Sequence, residues 1–213
     1  MKNILISQRI SFDKKRKETY TNLDIRWFKV SEKLCFNLIP IPFSVRSLNS
    51  ILAKITIDGI ILSGGNNISI NDNYEDYDIN FDSSLKRDCL ETIMIEYVMN
   101  HKIPLLGICR GMQMINNFFG GSNKVVNPKV HVKNFHKISD LDKKQIKVNS
   151  YHNFGIDENS LSKNLIKTHI AEDNTIEGFA HKDHKIFGIM WHPERNDELN
   201  VYDEKLIRKI FNI

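Results

Sequence analysis

The stretch Pro104-Leu-Leu-Gly-Ile-Cys-Arg-Gly-Met-Gln-Met-Ile-Asn-Asn-Phe-Phe-Gly-Gly121 constrains the fold more than any other. Its first five residues are apolar without alternation, the pattern of a strand covered on both faces. The residues from Arg110 onward carry helical periodicity and close on glycines, as helices commonly do. A strand running directly into a helix belongs to a parallel sheet with helices on its faces. At the junction, Cys109 stands between Gly107 and Gly111. A tight strand-to-helix bend pushes its central side chain out of the sheet, and the helix N-terminus favours thiolate over thiol. Glycines on either side let neighbouring backbone pass without meeting a Cβ.

The rest of the chain extends this unit. KNILIS (2–7) and DGIILSGG (58–65) read as further buried strands, and FNLIPIP as a short one stopped by prolines. Leu23, Trp27, Val30 and Leu34 repeat at helical spacing over 22–35. A second helix is expected from a cap at Asp82 or Ser83 to about residue 100, with Leu85, Leu90, Ile93 and Tyr97 on one side. QIKVNSYH, LIKTHIA, TIEGFAH and KIFGIMWH are strand-like, the last two joined as a hairpin through KDHK, and a helix over 203–211 ends the sequence. Between Gly65 and the second helix, NNISINDNYEDYDINF reads as a long polar loop, and loops of that length are commonly functional or mobile. These elements predict one α/β domain over 1–213, a three-layer, mostly parallel sheet with helices on both faces.

Composition narrows the setting. At 41% hydrophobic and 26% charged residues the balance is that of an ordinary globular chain. No apolar run approaches the roughly 18 residues of a membrane helix, and the short run after Met1 does not make a signal peptide, so a cytoplasmic location and no membrane partner are expected. Cys35, Cys89 and Cys109 form no CxxC pair, so neither metal nor cofactor is expected, and Cys35 and Cys89 are expected as small buried hydrophobes. The net charge of +4 is uneven: lysines and histidines crowd residues 124–147, while 72–82 carry acids and no basic residue. The basic run admits phosphate recognition, with Lys129, His131, Lys133 and His136 as candidates; the lack of a binding motif or aromatic interleaving argues against nucleic acid.

A thiol nucleophile needs a base, and the base an orienter. Of eight histidines, His101, His181 and His184 fall in loops or turns and His169 alternates in a strand. His192 instead ends a strand and is followed by Pro193 and Glu194. A carboxylate two residues on can accept the Nδ1–H and leave Nε2 facing the thiol, which completes Cys109, His192 and Glu194 as a triad. The N–H of Arg110 and that of Gly65, at the end of another strand, are the candidate oxyanion donors.

Gly-Ile-Cys-Arg-Gly-Met-Gln (107–113), Ile-Leu-Ser-Gly-Gly (61–65) and Trp-His-Pro-Glu (191–194) together resemble the class I glutamine amidotransferases, and within them the stand-alone γ-glutamyl hydrolase (peptidase C26-like) branch. The resemblance spans nearly the whole chain. It implies a flavodoxin-like amidotransferase fold and a γ-glutamyl thioester on Cys109, with His192 as acid and base and Glu194 as its orienter. It also implies that Gly64, Gln113 and the segment Val-Asn-Ser-Tyr-His (148–152), with Ser150, Tyr151 and His152, hold the glutamyl group of a small-molecule substrate. No synthetase domain accompanies these motifs. The short architecture with its lysine-rich segment is similar to hydrolases of nucleotide-linked substrates such as γ-glutamyl-CDP-amidate in capsule biosynthesis. The alternative is a glutaminase subunit feeding ammonia to a synthetase partner; a homodimer is also open.

Overall fold

In a computed structural model the described residues are 1–68 and 81–213. The acidic run and most of the long loop after Gly65 lie outside them, as do the side chains of 81–84 and hence the cap expected at Asp82 or Ser83. Five strands form the parallel half of a nine-stranded sheet: β1 (Asn3–Ile6), β4 (Asn37–Pro40), β5 (Gly59–Leu62), β6 (Leu105–Ile108) and β13 (Ile186–Ile189). Their spatial order is β4-β1-β5-β6-β13, every neighbouring pair parallel. That is the 2-1-3-4-5 arrangement of flavodoxin-like doubly wound sheets. The continuous apolar runs are explained by burial on both faces: Ile4, Leu5, Ile6, Ile60, Ile61, Leu62, Leu105 and Leu106 are fully buried.

Four more strands continue the sheet as an antiparallel meander in the order β12 (Ile176–His181), β11 (Leu165–Ala171), β8 (Val132–Asp140), β9 (Gln145–Tyr151). Three of these were expected, and the turn 182–185 joins β12 to β13 as the KDHK hairpin predicts. β8 was not legible, because its residues read as a charged surface run. Also unforeseen are the hairpin of β2 (Arg9–Asp13) and β3 (Glu18–Asn22), whose turn is the basic KKRK, and helix α2 (Val45–Lys54). The remaining elements are α1 (Arg26–Leu34), α3 (Phe81–His101), α4 (Arg110–Phe118), the short β7 (Lys124–Val125), α5 (Pro128–His131), β10 (Phe154–Gly155) and α6 (Val201–Phe211).

Two expectations are corrected here. Cys35 and Cys89 are exposed, not buried. Cys35 caps α1 in the left-handed region (φ 59°) with its side chain outward, and Cys89 lies on the solvent side of α3. The buried face of α3 is also rotated from the apolar reading: it carries Leu90, Met94 and Val98 together with Arg87, Asp88 and Glu91, while Leu85 is exposed. Charged residues occupy core positions there because they pair with one another and with Arg110.

Candidate active site

The elbow is built by close approach of backbone. Cys109 adopts φ 50°, ψ −105°, a conformation that costs a non-glycine residue of order 1–3 kcal/mol. Its N–H bonds the Ile189 carbonyl at 2.8 Å, and its carbonyl accepts the first helical N–H, from Gln113, at 3.1 Å. A Cβ on Gly111 would overlap the Leu62 carbonyl oxygen, and one on Gly107 would lie 2.6 Å from the Gly111 carbonyl. No larger residue fits either place, so β5, β6 and α4 meet through bare main chain.

His192 follows β13 and opens the 3₁₀ turn Pro193–Arg195. Its Nδ1 stands 2.7 Å from Glu194 Oε1, and both side chains are buried. The His192 main chain is clamped by Asn149, whose Oδ1 accepts the His192 N–H and whose Nδ2 donates to its carbonyl, each at 2.8 Å. Burial works against a charged His192, but the Glu194 carboxylate and Cys109 outweigh it and push the imidazole up to about 9. Burial likewise opposes ionisation of Cys109, and His192 overcomes it, so the thiol titrates below its ordinary range. The two shifts together favour a thiolate–imidazolium pair, the form ready for nucleophilic attack.

The candidate oxyanion donors have a structural setting the sequence did not reveal. Arg87, fully buried, donates to three successive carbonyls: Ser63 at 2.8 Å, Gly64 at 3.3 Å and Gly65 at 2.5 Å. In a trans peptide the N–H points away from the preceding carbonyl, so the Gly64 carbonyl facing Arg87 turns the Gly65 N–H the other way, into the cleft. Gly65 accommodates this with φ 84°. The Arg110 N–H, at the first turn of α4, has no partner within its helix by rule. The Arg110 side chain points away, forming a buried cluster with Asp88 and Glu91 that includes the Arg87–Glu91 pair at 3.0 Å. Arg87 and Glu91 were detectable only as an i,i+4 pair on an otherwise apolar helix face.

A cleft of about 240 Å³ holds Gly65, Cys109, Arg110, Gln113, Tyr151, His152, His192 and Arg195 on its walls. Most of the predicted site residues are therefore together. Gln113 is buried, its Nε2 donating to the Phe154 carbonyl at 2.9 Å, and Gly64 abuts His192 and Cys109 so closely that a Cβ there would sit 2.6 Å from the imidazole. Tyr151 stands edge-on to His192 and under the Arg195 guanidinium. Ser150 is placed otherwise: its Oγ donates to the His131 carbonyl at 2.8 Å, away from the cleft. The basic run divides as well. Lys129 and Lys133 are exposed, but His131 and His136 turn inward onto Glu177, within 3.5 Å and 3.4 Å of its carboxylate. An anion-binding role for these two histidines is thus corrected, because a buried carboxylate occupies the place an incoming phosphate would need.

Sequence comparison agrees with this geometry. The family described as glutamine amidotransferase class-I matches residues 30–212. The chain belongs to the class I glutamine amidotransferases. Among its relatives, the γ-glutamyl-CDP-amidate hydrolase of Campylobacter jejuni is 39% identical over 196 residues, covering 92% of this chain and 91% of that protein. The carbamoyl phosphate synthase small chain of Aquifex aeolicus is 38% identical over 97 residues, 45% of this chain and 26% of the relative. A solved Thermoplasma acidophilum structure described as a GMP synthase component superposes with a TM-score of 0.71 at 21% identity, covering 100% of this chain and 93% of that one, which shows the shared amidotransferase fold. Among the described residues of this amidotransferase, no helix is long and apolar enough to cross a membrane.

Proposed function

We propose that this chain hydrolyses a γ-glutamyl amide through a thioester on Cys109 and releases free glutamate. One observation carries the reading: Cys109, strained at the head of α4, shares its cleft with an imidazole whose other nitrogen is held by Glu194. The Cys109 thiolate attacks the γ-carbonyl carbon, a C–S bond forms, and the resulting oxyanion meets the N–H groups of Gly65 and Arg110. As the C–N bond breaks, His192 gives its proton to the departing amine. Neutral His192 then takes a proton from water, which attacks the thioester; the C–S bond breaks and glutamate leaves. Gln113, Tyr151 and His152 line the space for the glutamyl group.

The leaving group we propose is nucleotide-linked, as in γ-glutamyl-CDP-amidate, with a place in capsule biosynthesis. Support comes from the extent of identity to the Campylobacter jejuni hydrolase and from Arg195, a cation on the cleft wall that can meet a phosphate of the leaving group. Cys109→Ala should abolish glutamate release while thermal unfolding stays cooperative, and retained turnover would refute the thioester. Lys129 and Lys133 are exposed on the basic segment, and we propose that they meet the phosphates: neutralising both should raise KM for a nucleotide-linked substrate several-fold more than for glutamine, and equal effects would reduce them to solvated surface. The likeness to a carbamoyl phosphate synthase small chain favours a second reading, a glutaminase subunit that serves a synthetase. Separate measurement of glutamate and ammonia decides. Glutamate without equimolar ammonia, from the purified chain alone, supports the hydrolase; glutamine turnover that awaits a partner supports the subunit.

A further inference from the structure

Behind the cleft, Glu177 on β12 is fully buried, and three imidazoles converge on its carboxylate. His131 Nδ1 lies 3.5 Å and His152 Nε2 3.4 Å from the same oxygen, Oε1, while His136 Nε2 lies 3.4 Å from Oε2. None of these five atoms makes a hydrogen bond within the chain. Such a concentration of unpaired buried polar atoms is costly unless something sits among them.

The other ring nitrogens indicate what that is. His152 Nδ1 is 2.9 Å from the Phe154 carbonyl, which can only accept, so the proton is on Nδ1 and Nε2 offers a lone pair. His131 Nε2 is 2.8 Å from the Asp173 carboxylate, which fixes the opposite tautomer and leaves Nδ1 as the lone pair. Imidazoles anchored through one nitrogen to a carbonyl or carboxylate, with the other free, are the pattern of metal-ligating histidines. Burial keeps His131 neutral, whereas Glu177 outweighs burial at His152 and favours a second proton there; but charge-assisted N–H···O contacts contract to about 2.7–2.9 Å. The His192–Glu194 contact, at 2.7 Å, shows that contraction in this same chain; the Glu177 contacts stand well beyond it. Around a tetrahedral ion with bonds of about 2.0–2.2 Å, ligand atoms fall roughly 3.3–3.6 Å apart, and both nitrogen–oxygen spacings to Glu177 Oε1 lie in that range.

We propose that His131 Nδ1, His152 Nε2 and Glu177 Oε1 bind one divalent transition-metal ion, zinc foremost, with Asp173 and the Phe154 carbonyl orienting the two histidines. The three ligand atoms lie within 4.8 Å of one another. Two nitrogens and one oxygen form a donor set of the zinc class, and three protein ligands leave a fourth position open. The ligands come from α5, the end of β9, and β12, so the ion staples the antiparallel meander and holds His152, a wall of the cleft. The sequence hides the site, since residues 131, 152 and 177 contain no short ligand spacing. Nothing in this assignment depends on the identity of the leaving group.

The test uses the full chain stripped with chelator and titrated with Zn²⁺ against a chromophoric competitor, and in parallel with Co²⁺. One equivalent should bind, Co²⁺ should give intense tetrahedral visible bands, and the unfolding temperature should rise with free Zn²⁺. His131→Gln and Glu177→Gln should each weaken binding roughly 100-fold or more, whereas His184→Gln, in the 182–185 turn, should leave it unchanged. Absence of a one-equivalent endpoint, or equal affinity in the Glu177→Gln protein, overturns the proposal. If either ligand variant fails to fold, the wild-type Co²⁺ titration decides: tetrahedral bands saturating at one equivalent support the site, and their absence refutes it.

Discussion

Among the described residues, two buried histidine–glutamate groups can be set side by side, His192 with Glu194 and the three imidazoles around Glu177, and they are bonded differently. In the first, Glu194 grips His192 at 2.7 Å, and the free Nε2 shares the cleft with the Cys109 thiol. In the second, Glu177 is ringed by three imidazoles at 3.4–3.5 Å and bonded to none. Both carboxylates are buried. What distinguishes them is where the positive charge resides: a closed pair carries its own proton, while an open cage has room for a cation larger than a proton. On our proposals, the closed pair does chemistry and the open one braces the wall next to it.

Glu194→Gln should break the comparison most sharply. An amide at the end of the clamp no longer stabilises imidazolium, and kcat for glutamate release should fall about 10²–10⁴-fold, read by steady-state kinetics. The same variant tests the pH argument. His192 titrates at about 9 in the folded chain, above the roughly 6.5 of a free imidazole, so its charge and the stability it lends are fully present below 6.5 and are lost as pH rises through 9. The alkaline limb of kcat/KM should lie near 9 in the wild type and move toward neutrality in Glu194→Gln; an unmoved limb would remove Glu194 from the role. Glu177→Gln should do less, about a 10–100-fold loss that falls mainly on KM, with the alkaline limb in place. A displaced limb there would mean that the two groups titrate as one.

The closed pair was legible because its parts are neighbours in sequence: His192 and Glu194 end one strand, and the cysteine elbow announces itself by its glycines. The parallel half of the sheet was legible for a similar reason, since runs such as DGIILSGG and PLLGI are buried on both faces and lack alternation. The open cage was not, because its members are spread across a helix and three strands that meet only after the meander folds. His131 and His136 looked like part of a solvated basic run, and periodicity cannot tell an imidazole facing a carboxylate from one facing water. Arg87 and Glu91 were hidden in the same way. A core position on α3 is given to charge only because Arg110 and the carbonyls of 63–65 wait opposite it.

The close packing around Gly64 has an evolutionary corollary. A Cβ at that point would press on the imidazole of His192 from 2.6 Å, so on this side of the cleft the backbone itself forms the wall and a larger side chain has no room. Variation that changes what the cleft accepts has to enter through side chains on its other walls, such as Asn153 and Arg195. In this chain, on the proposed reading, the leaving group is therefore easier to change by substitution than the surroundings of the nucleophile.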